Sequence, residues 1–318
     1  GFLYFLSMNP QQDSLPQVVL VTGGTKGIGR AIAEGFLAAG ATVVVCARQQ
    51  PEALPSHNAR SAEFIACDVR EASAVQALVN DVVQRHGRLD VLIHNAGGSP
   101  AVDAATVSPR FHEGVIRLNL IAALHMAQAA NAAMQQQERG GVIVFIGSIS
   151  ALRPSPGTAA YGAAKAAVLS LTSSLAVEWA PKVRVVAVSP GLVRTEQSAL
   201  HYGDEQGLAN VAATIPAGHM AEPQDIANAC LFVSSPQASY MSGSNLLLHG
   251  GGERHDGHQR RRRHGGELRQ QEHHRQPHRD EGIDQPRDVD QVRQLRGEDQ
   301  DGQGVDEADH DTARDEPH

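Results

Sequence analysis

The stretch YGAAK places Tyr161 and Lys165 four positions apart in a chain of 318 residues that holds only four tyrosines and three lysines. In a helix of about 3.6 residues per turn, two such positions share one face, roughly 6 Å apart. A free phenol titrates near about 10, too high to exchange protons readily at neutrality. An ammonium beside it favours the phenolate and lowers that value. Alone, this spacing also describes a helix surface that merely exposes both side chains; joined to Ser148, Asn119 and a glycine loop, it predicts a tyrosine working as general acid or base, tuned by its lysine. Ser148, in GSISA, adds a hydroxyl that would hold a reacting oxygen by hydrogen bonding.

A second stretch with chemical content is VLVTGGTKGIGR, residues 19–30. Gly23, Gly27 and Gly29 let the backbone turn sharply and come close to a pyrophosphate, with Thr25, Lys26 and Ile28 completing the loop. The helix that follows would offer N–H groups and a partial positive charge to the anion. The spacing is G-x-x-x-G-x-G, one residue away from the G-x-G-x-x-G fingerprint. A nucleoside triphosphatase loop needs Gly-Lys-Ser/Thr, whereas the order here is Lys26-Gly27.

The elements that must position these residues follow from periodicity. Short β-branched runs at Val18–Val21, Thr42–Cys46, Glu63–Ala66, Val91–His94, Val142–Ile146, Val183–Val188 and Asn245–Leu248 read as strands. Helical periods lie between them, near 28–39, 71–86, 109–136, 157–179 and 223–235. The early strands are continuously apolar, as in a parallel sheet covered on both faces. Alternating βα units predict a single-domain α/β fold, a Rossmann-like doubly wound parallel sheet of about seven strands. The stretch 195–221 reads as an irregular lid or binding loop.

Composition divides the chain into residues 1–8 as an N-terminal extension, 9–252 as the folded unit and 253–318 as a polar tail. The tail has 18 acidic residues against 12 arginines, half of the 16 histidines and no aromatic residue but histidine. It cannot bury enough apolar surface to offset its ordering entropy, so it is expected to be disordered. Its abrupt change of character reads as an out-of-frame or fused extension. Six of the eight net negative charges lie there, leaving the core near neutral and without an electrostatic reason to bind nucleic acid or membrane. The start, GFLYFLSM, is too short to span a bilayer and lacks a basic flank, with Met8 as the expected natural start. Cys46, Cys67 and Cys230 sit apart in apolar runs and read as buried reduced thiols. No histidine in the core has metal-ligand spacing, so no metal is expected. Together these features predict a cytosolic protein.

The motifs in their order resemble the short-chain dehydrogenase/reductase family over roughly 17–252. The carriers are the glycine loop, CDV (67–69), HNAG (94–97), RLNL around Asn119, Ser148 thirteen residues before Tyr161, YGAAK, and SPGLVRT (189–195). HNAG resembles the family's N-N-A-G with His94 in place of the first Asn, and His249 stands where many relatives have Asp. The resemblance implies Ser148, Tyr161, Lys165 and Asn119 as the catalytic set, exchanging a carbonyl and an alcohol. Asn119 would hold a water linking Lys165 to solvent, and Lys165 would also bind the nicotinamide ribose. Asp68 and Val69 would meet the adenine. Asn95, Ala96 and Gly97 would line the cofactor, as would Pro190, Gly191, Val193 and Thr195. Arg48 after the second strand, where no acid stands, together with Lys26 resembles members that prefer NADP(H) over NAD(H).

The resemblance further implies a homodimer or homotetramer formed through the alanine-rich helix 157–179 and the helix before it. A small carbonyl or alcohol substrate would sit among 98–101, 149–153, 192 and a 196–216 lid. Ala151, Leu152, Leu192, Ala199, Leu200, Tyr202 and Leu208 make that region apolar. A 3-oxoacyl thioester, a steroid-like ketone and a small diketone all fit this description. Two other readings start from the same residues: a cofactor-binding regulator without turnover, or a protein that acts through its tail.

Overall fold

The computed structural model describes residues 17–198 and 202–252. The expected extension 1–8, the tail 253–318 and the lid residues Ala199 and Leu200 lie outside the described residues. Among the described residues nine strands run in chain order: β1 (Val18–Thr22), β2 (Thr42–Ala47), β3 (Ser56–His57), β4 (Arg60–Ser61), β5 (Glu63–Ala66), β6 (Val91–His94), β7 (Gly141–Ile146), β8 (Val183–Pro190) and β9 (Asn245–Leu248). Seven of them form one parallel sheet in the order β5-β2-β1-β6-β7-β8-β9. The other two, β3 and β4, make a small antiparallel hairpin that periodicity did not reveal, since all four of its residues are exposed.

Helices cover both faces, which explains why the strands are apolar without alternation. Leu20, Val44, Leu92, Ile143 and Phe145 point to one face. There they meet α2 (Ala72–His86), α4 (Ala122–Gln136) and α5 (Ala159–Glu178). The alternate residues Val19, Val21, Val43, Val45, Ile93 and Val144 point to the other face. They meet α1 (Gly27–Ala38) and α7 (Pro223–Ser234). Local chemistry sets the helix ends. Gly87 closes α2 in the left-handed region at φ 74°, its N–H donating to the Val83 carbonyl at 2.7 Å. At α7, Pro223 takes the first position, and the Asp225 carboxylate accepts the Glu222 N–H at 2.8 Å.

Two expected elements differ. The helix expected over 109–136 is divided into α3 (Pro109–Ile116), a wide π turn at Arg117–Ile121, and α4. The stretch 195–221 is not wholly irregular, because α6 (Glu205–Ala212) lies within it. Asp204 caps that helix, accepting the Gly207 N–H at 3.0 Å.

The whole seven-stranded sheet and its helices lie between Val18 and Leu248. A chain stopped after Gly252 is therefore expected to melt within a few degrees of the full-length protein. Comparing the two melting temperatures checks this; a large drop would show that the tail stabilises the folded unit.

Candidate active site at the carboxyl ends of the strands

The strand order runs outward in both directions from the β1–β6 pair, and ligands of doubly wound sheets bind at such a switch point. The loop after β1 is shaped for it. Gly27 opens α1 at φ 53°, and Gly23 is also left-handed at φ 62°. Gly29 is required by close approach: a Cβ there would lie 2.2 Å from the Gly23 carbonyl oxygen and 2.5 Å from Asn95 Nδ2. No side chain caps the start of α1 and no acid stands in its first turn. The amide end of this helix therefore suits a phosphate. Gly29→Ala is expected to lower the melting temperature by several degrees and abolish dinucleotide binding, measured by thermal shift and fluorescence titration. The nearest colliding atom is a backbone carbonyl with no rotamer to escape into, and the Asn95 amide beside it is held by two hydrogen bonds.

Thr22, the last residue of β1, ties this loop to the end of β6. Its Oγ1 accepts the Asn95 N–H at 3.1 Å and the Ala96 N–H at 3.0 Å, and lies 3.2 Å from His94 Nδ1. Asn95 Nδ2 donates to the Thr22 and Gly23 carbonyls at 3.2 and 3.1 Å. The Asn95 side chain is thus committed to the loop's backbone.

Just after β5, Asp68 is gripped by a residue the sequence reading did not single out. Arg70 donates from its backbone N–H and from Nε to Asp68 Oδ1 at 3.0 and 2.9 Å, and from Nη2 to Oδ2 at 2.5 Å. The Arg70 guanidinium holds the Asp68 carboxyl below its ordinary range, and the Arg48 charge acts in the same direction. The D-x-R spacing was the available signal. Val69 is buried, whereas Arg48 and Lys26 are exposed at the rim.

Tyr161 and Lys165 occupy the first turns of α5, pressed against the segment after β7. A Cβ on Gly162 would stand 3.0 Å from the Ser150 carbonyl oxygen, so this glycine, also missed, brings the helix down onto the Ser148 turn. Ser148 caps that turn by accepting the Ser150 N–H at 3.1 Å, and is hydrogen-bonded to Tyr161. Lys165 is buried, with Nζ donating to the Ile146 carbonyl at 2.7 Å and lying 5.7 Å from the centre of the Tyr161 ring. Burial pushes the lysine down to about 8. Burial also raises the tyrosine above its ordinary value, and Ser148 partly opposes this. The expected lowering of Tyr161 by its lysine is therefore not a property of the protein alone. The ammonium donates to a backbone carbonyl and stands over the ring.

Asn119 lies at the centre of the π turn and is buried. Its Oδ1 accepts the Gly98 N–H at 2.8 Å, and its Nδ2 donates to the Gly98 and Val115 carbonyls, each at 2.9 Å. Gly97 has to be small because a Cβ there would stand 2.7 Å from Asn119 Oδ1 and 3.4 Å from Lys165 Nζ.

The segment after β8 completes the enclosure. The Gly191 N–H donates to the Leu248 carbonyl at 2.7 Å, and Val193 pairs with Ala221. Thr195 and Glu196 come over the start of α1, Thr195 Cγ2 standing 3.7 Å from where a Gly27 Cβ would be. Part of the expected apolar lining also packs together within this segment. Leu192, Tyr202 and Leu208 pack with Ile215 and Met220 into a small core of the lid itself, because amphipathic α6 buries Leu208 inward. Leu152 remains 53% exposed at the rim.

Comparison with known proteins agrees with this geometry. A family model described as enoyl-(acyl carrier protein) reductase matches residues 23–253. The 3alpha-hydroxysteroid dehydrogenase of Mediterraneibacter gnavus is 36% identical over 244 residues, covering 74% of this chain and 96% of the relative. The 3-oxoacyl-acyl-carrier-protein reductase of Escherichia coli is 31% identical over 238 residues, with the same two coverages of 74% and 96%. The structure of the aldohexose dehydrogenase of Thermoplasma acidophilum superposes with a TM-score of 0.69 at 30% identity, covering 74% of this chain and 93% of that one. With its parallel seven-stranded sheet, glycine loop and Ser148–Tyr161–Lys165 cluster, the chain belongs to the short-chain dehydrogenase/reductase family of nicotinamide-dependent oxidoreductases.

Proposed function

We propose that the protein is an NADP(H)-dependent oxidoreductase that interconverts a ketone or aldehyde and an alcohol. The observation that carries this reading is the meeting of Ser148, Tyr161 and buried Lys165 beside a glycine loop whose shape and uncapped helix suit a dinucleotide. Gly23, Gly27 and Gly29 would admit the pyrophosphate, with Thr195 closing over it. Lys26 and Arg48 would face the adenosine phosphate, and Ala96 and Gly97 would line the wall. The bound nicotinamide supplies or accepts the hydride.

The chain's own residues handle the proton. Ser148 donates a hydrogen bond to the substrate oxygen, and Tyr161 gives that oxygen its proton in reduction or takes it in oxidation. Lys165, at about 8, still carries its charge at neutrality and keeps a positive potential behind the phenol. Asn119 fixes the Gly98 backbone next to the lysine.

A largely apolar carbonyl is the favoured substrate class, supported by Ala151 and Leu152 at the rim and by relatives named for steroid and acyl-chain substrates. The test is a panel of an acyl thioester, a steroid ketone, a small diketone and an aldose, each with both dinucleotides and followed by nicotinamide absorbance. No turnover with any of them, despite dinucleotide binding, would favour a regulator on the same fold.

The assembly belongs to the same proposal. The outward side of α5 carries the small and apolar residues Ala163, Ala166 and Val177, the last 79% exposed, beside Ser170, Ser173 and Ser174. Such a face suits a second copy, giving a homodimer or homotetramer. Sedimentation at micromolar concentration distinguishes this from a monomer.

A further inference from the structure

His94 ends β6 at the switch point and has no role in the chemistry above. Its imidazole is 2% exposed and packs edge-on against Phe145, with ring centres 6.3 Å apart. Its Nδ1 is 3.2 Å from Thr22 Oγ1, and its Nε2 has no hydrogen-bond partner among the described residues. A buried polar atom left alone costs free energy, so its presence calls for a compensating role.

That role follows from counting hydrogens at Thr22. A hydroxyl has one hydrogen and two lone pairs. Both lone pairs are engaged by the N–H groups of Asn95 and Ala96. The hydroxyl hydrogen must then go to the remaining neighbour, His94 Nδ1, which has to be the unprotonated nitrogen. The other tautomer would bring a third donor to a full oxygen and leave the Thr22 hydrogen without an acceptor. Nε2 is unpaired in either tautomer, so Thr22 alone makes the choice.

We propose that His94, held as the Nε2–H tautomer, is a positioning residue that accepts the Thr22 hydroxyl hydrogen and thereby locks the glycine loop to the 95–97 segment. The lock acts where the two halves of the cradle touch. A Cβ on Gly23 would be 3.1 Å from both Ala96 Cα and Asn95 Nδ2, so a rotated Thr22 hydroxyl disturbs both walls together. The imidazole is suited to a constant setting. Burial first, and the Lys165 charge second, push it down to about 3, so it stays neutral wherever the protein works. The consequence for cofactor binding rests on the dinucleotide reading above, whereas the tautomer does not.

The first test uses nitrogen-15 NMR of histidine-labelled full-length protein without nucleotide. A pyridine-type Nδ1 and a protonated Nε2 are expected for His94, unchanged from about pH 5 to 8. A protonated Nδ1, or titration within that window, overturns the proposal. The second test measures NADPH and NADH dissociation constants by fluorescence. His94→Leu is expected to weaken both about tenfold by leaving the hydroxyl unsatisfied. His94→Asn, whose amide oxygen restores an acceptor, is expected to recover most of that loss. In a Thr22→Val background, His94→Leu should add little. An equal loss with and without the Thr22 hydroxyl would show that the ring merely fills space, and would overturn the proposal. If the unmodified protein binds neither dinucleotide, the oxidoreductase reading fails, and the NMR result still decides the role of His94.

Discussion

Tyr161→Phe is expected to lower turnover by about 10²–10⁴-fold, the usual contribution of a general acid or base, while dinucleotide binding survives. The substitution removes one oxygen. The ring keeps its place over Lys165, and Ser148 still accepts the Ser150 N–H that holds its turn. Lys165 keeps its bond to the Ile146 carbonyl, so the buried charge is not orphaned. Ser148 and Lys165 cannot take over the proton. The serine hydroxyl is a far weaker acid than a phenol, and the ammonium is directed at a carbonyl. The measurement is single-turnover rate against dinucleotide affinity on the best substrate of the panel. Retention of most of the rate, with affinity intact, would mean that the proton comes from elsewhere and that the proposed mechanism is wrong.

Much of this site was legible because its determinants are local. Tyr161 and Lys165 share a helix face, and Gly23, Gly27 and Gly29 share a loop, so spacing alone places them together. The strands were legible because burial on both faces leaves continuous apolar runs such as Val18–Val21. The hairpin at 56–61 was not, because two-residue strands with exposed Ser, His and Arg leave no pattern. Nor was the π turn, since Arg117–Ile121 is as helix-compatible as its flanks. Its only sign was a polar Asn119 in an apolar run. The lid helix α6 buries one residue, too few for periodicity.

Other features depend on partners far apart in sequence. Thr22 and His94 meet across 72 residues, and Lys165 reaches a carbonyl 19 residues away. Those contacts decide protonation. Proximity of Tyr161 and Lys165 predicted a lowered phenol, yet burial dominates both groups once the fold is formed. Spacing can bring two titratable groups together, but only tertiary packing determines which way each is driven.

The second large effect concerns cofactor choice. Arg48→Ala is expected to weaken NADPH binding ten- to hundredfold and leave NADH nearly unchanged. A charge-assisted hydrogen bond contributes about 1.5–3 kcal/mol, which is that ratio in affinity. In this fold an acid at the end of the second strand holds the adenosine ribose and repels a 2′-phosphate. Here β2 ends at Ala47, followed by exposed Arg48, and Lys26 precedes α1 with no cap to make. Asp68 is an acid close enough to this corner for Arg48 to act on it electrostatically, and it could oppose a phosphate. Its charge is offset by the two-pronged grip of Arg70, leaving Arg48 free to act as the phosphate's partner. Adding Ala47→Asp to Arg48→Ala should invert the preference, because the new carboxylate supplies a ribose acceptor and repels the phosphate. Arg70→Ala should weaken NADPH more than NADH by releasing the negative charge of Asp68. Dissociation constants for both dinucleotides across these variants, at low and high salt, provide the measurement. Salt should weaken the NADPH advantage of the unmodified protein and leave that of the double variant for NADH largely intact. Equal or better binding of NADH by the unmodified protein would overturn the assignment of Arg48 and leave the roles of Ser148, Tyr161 and Lys165 untouched.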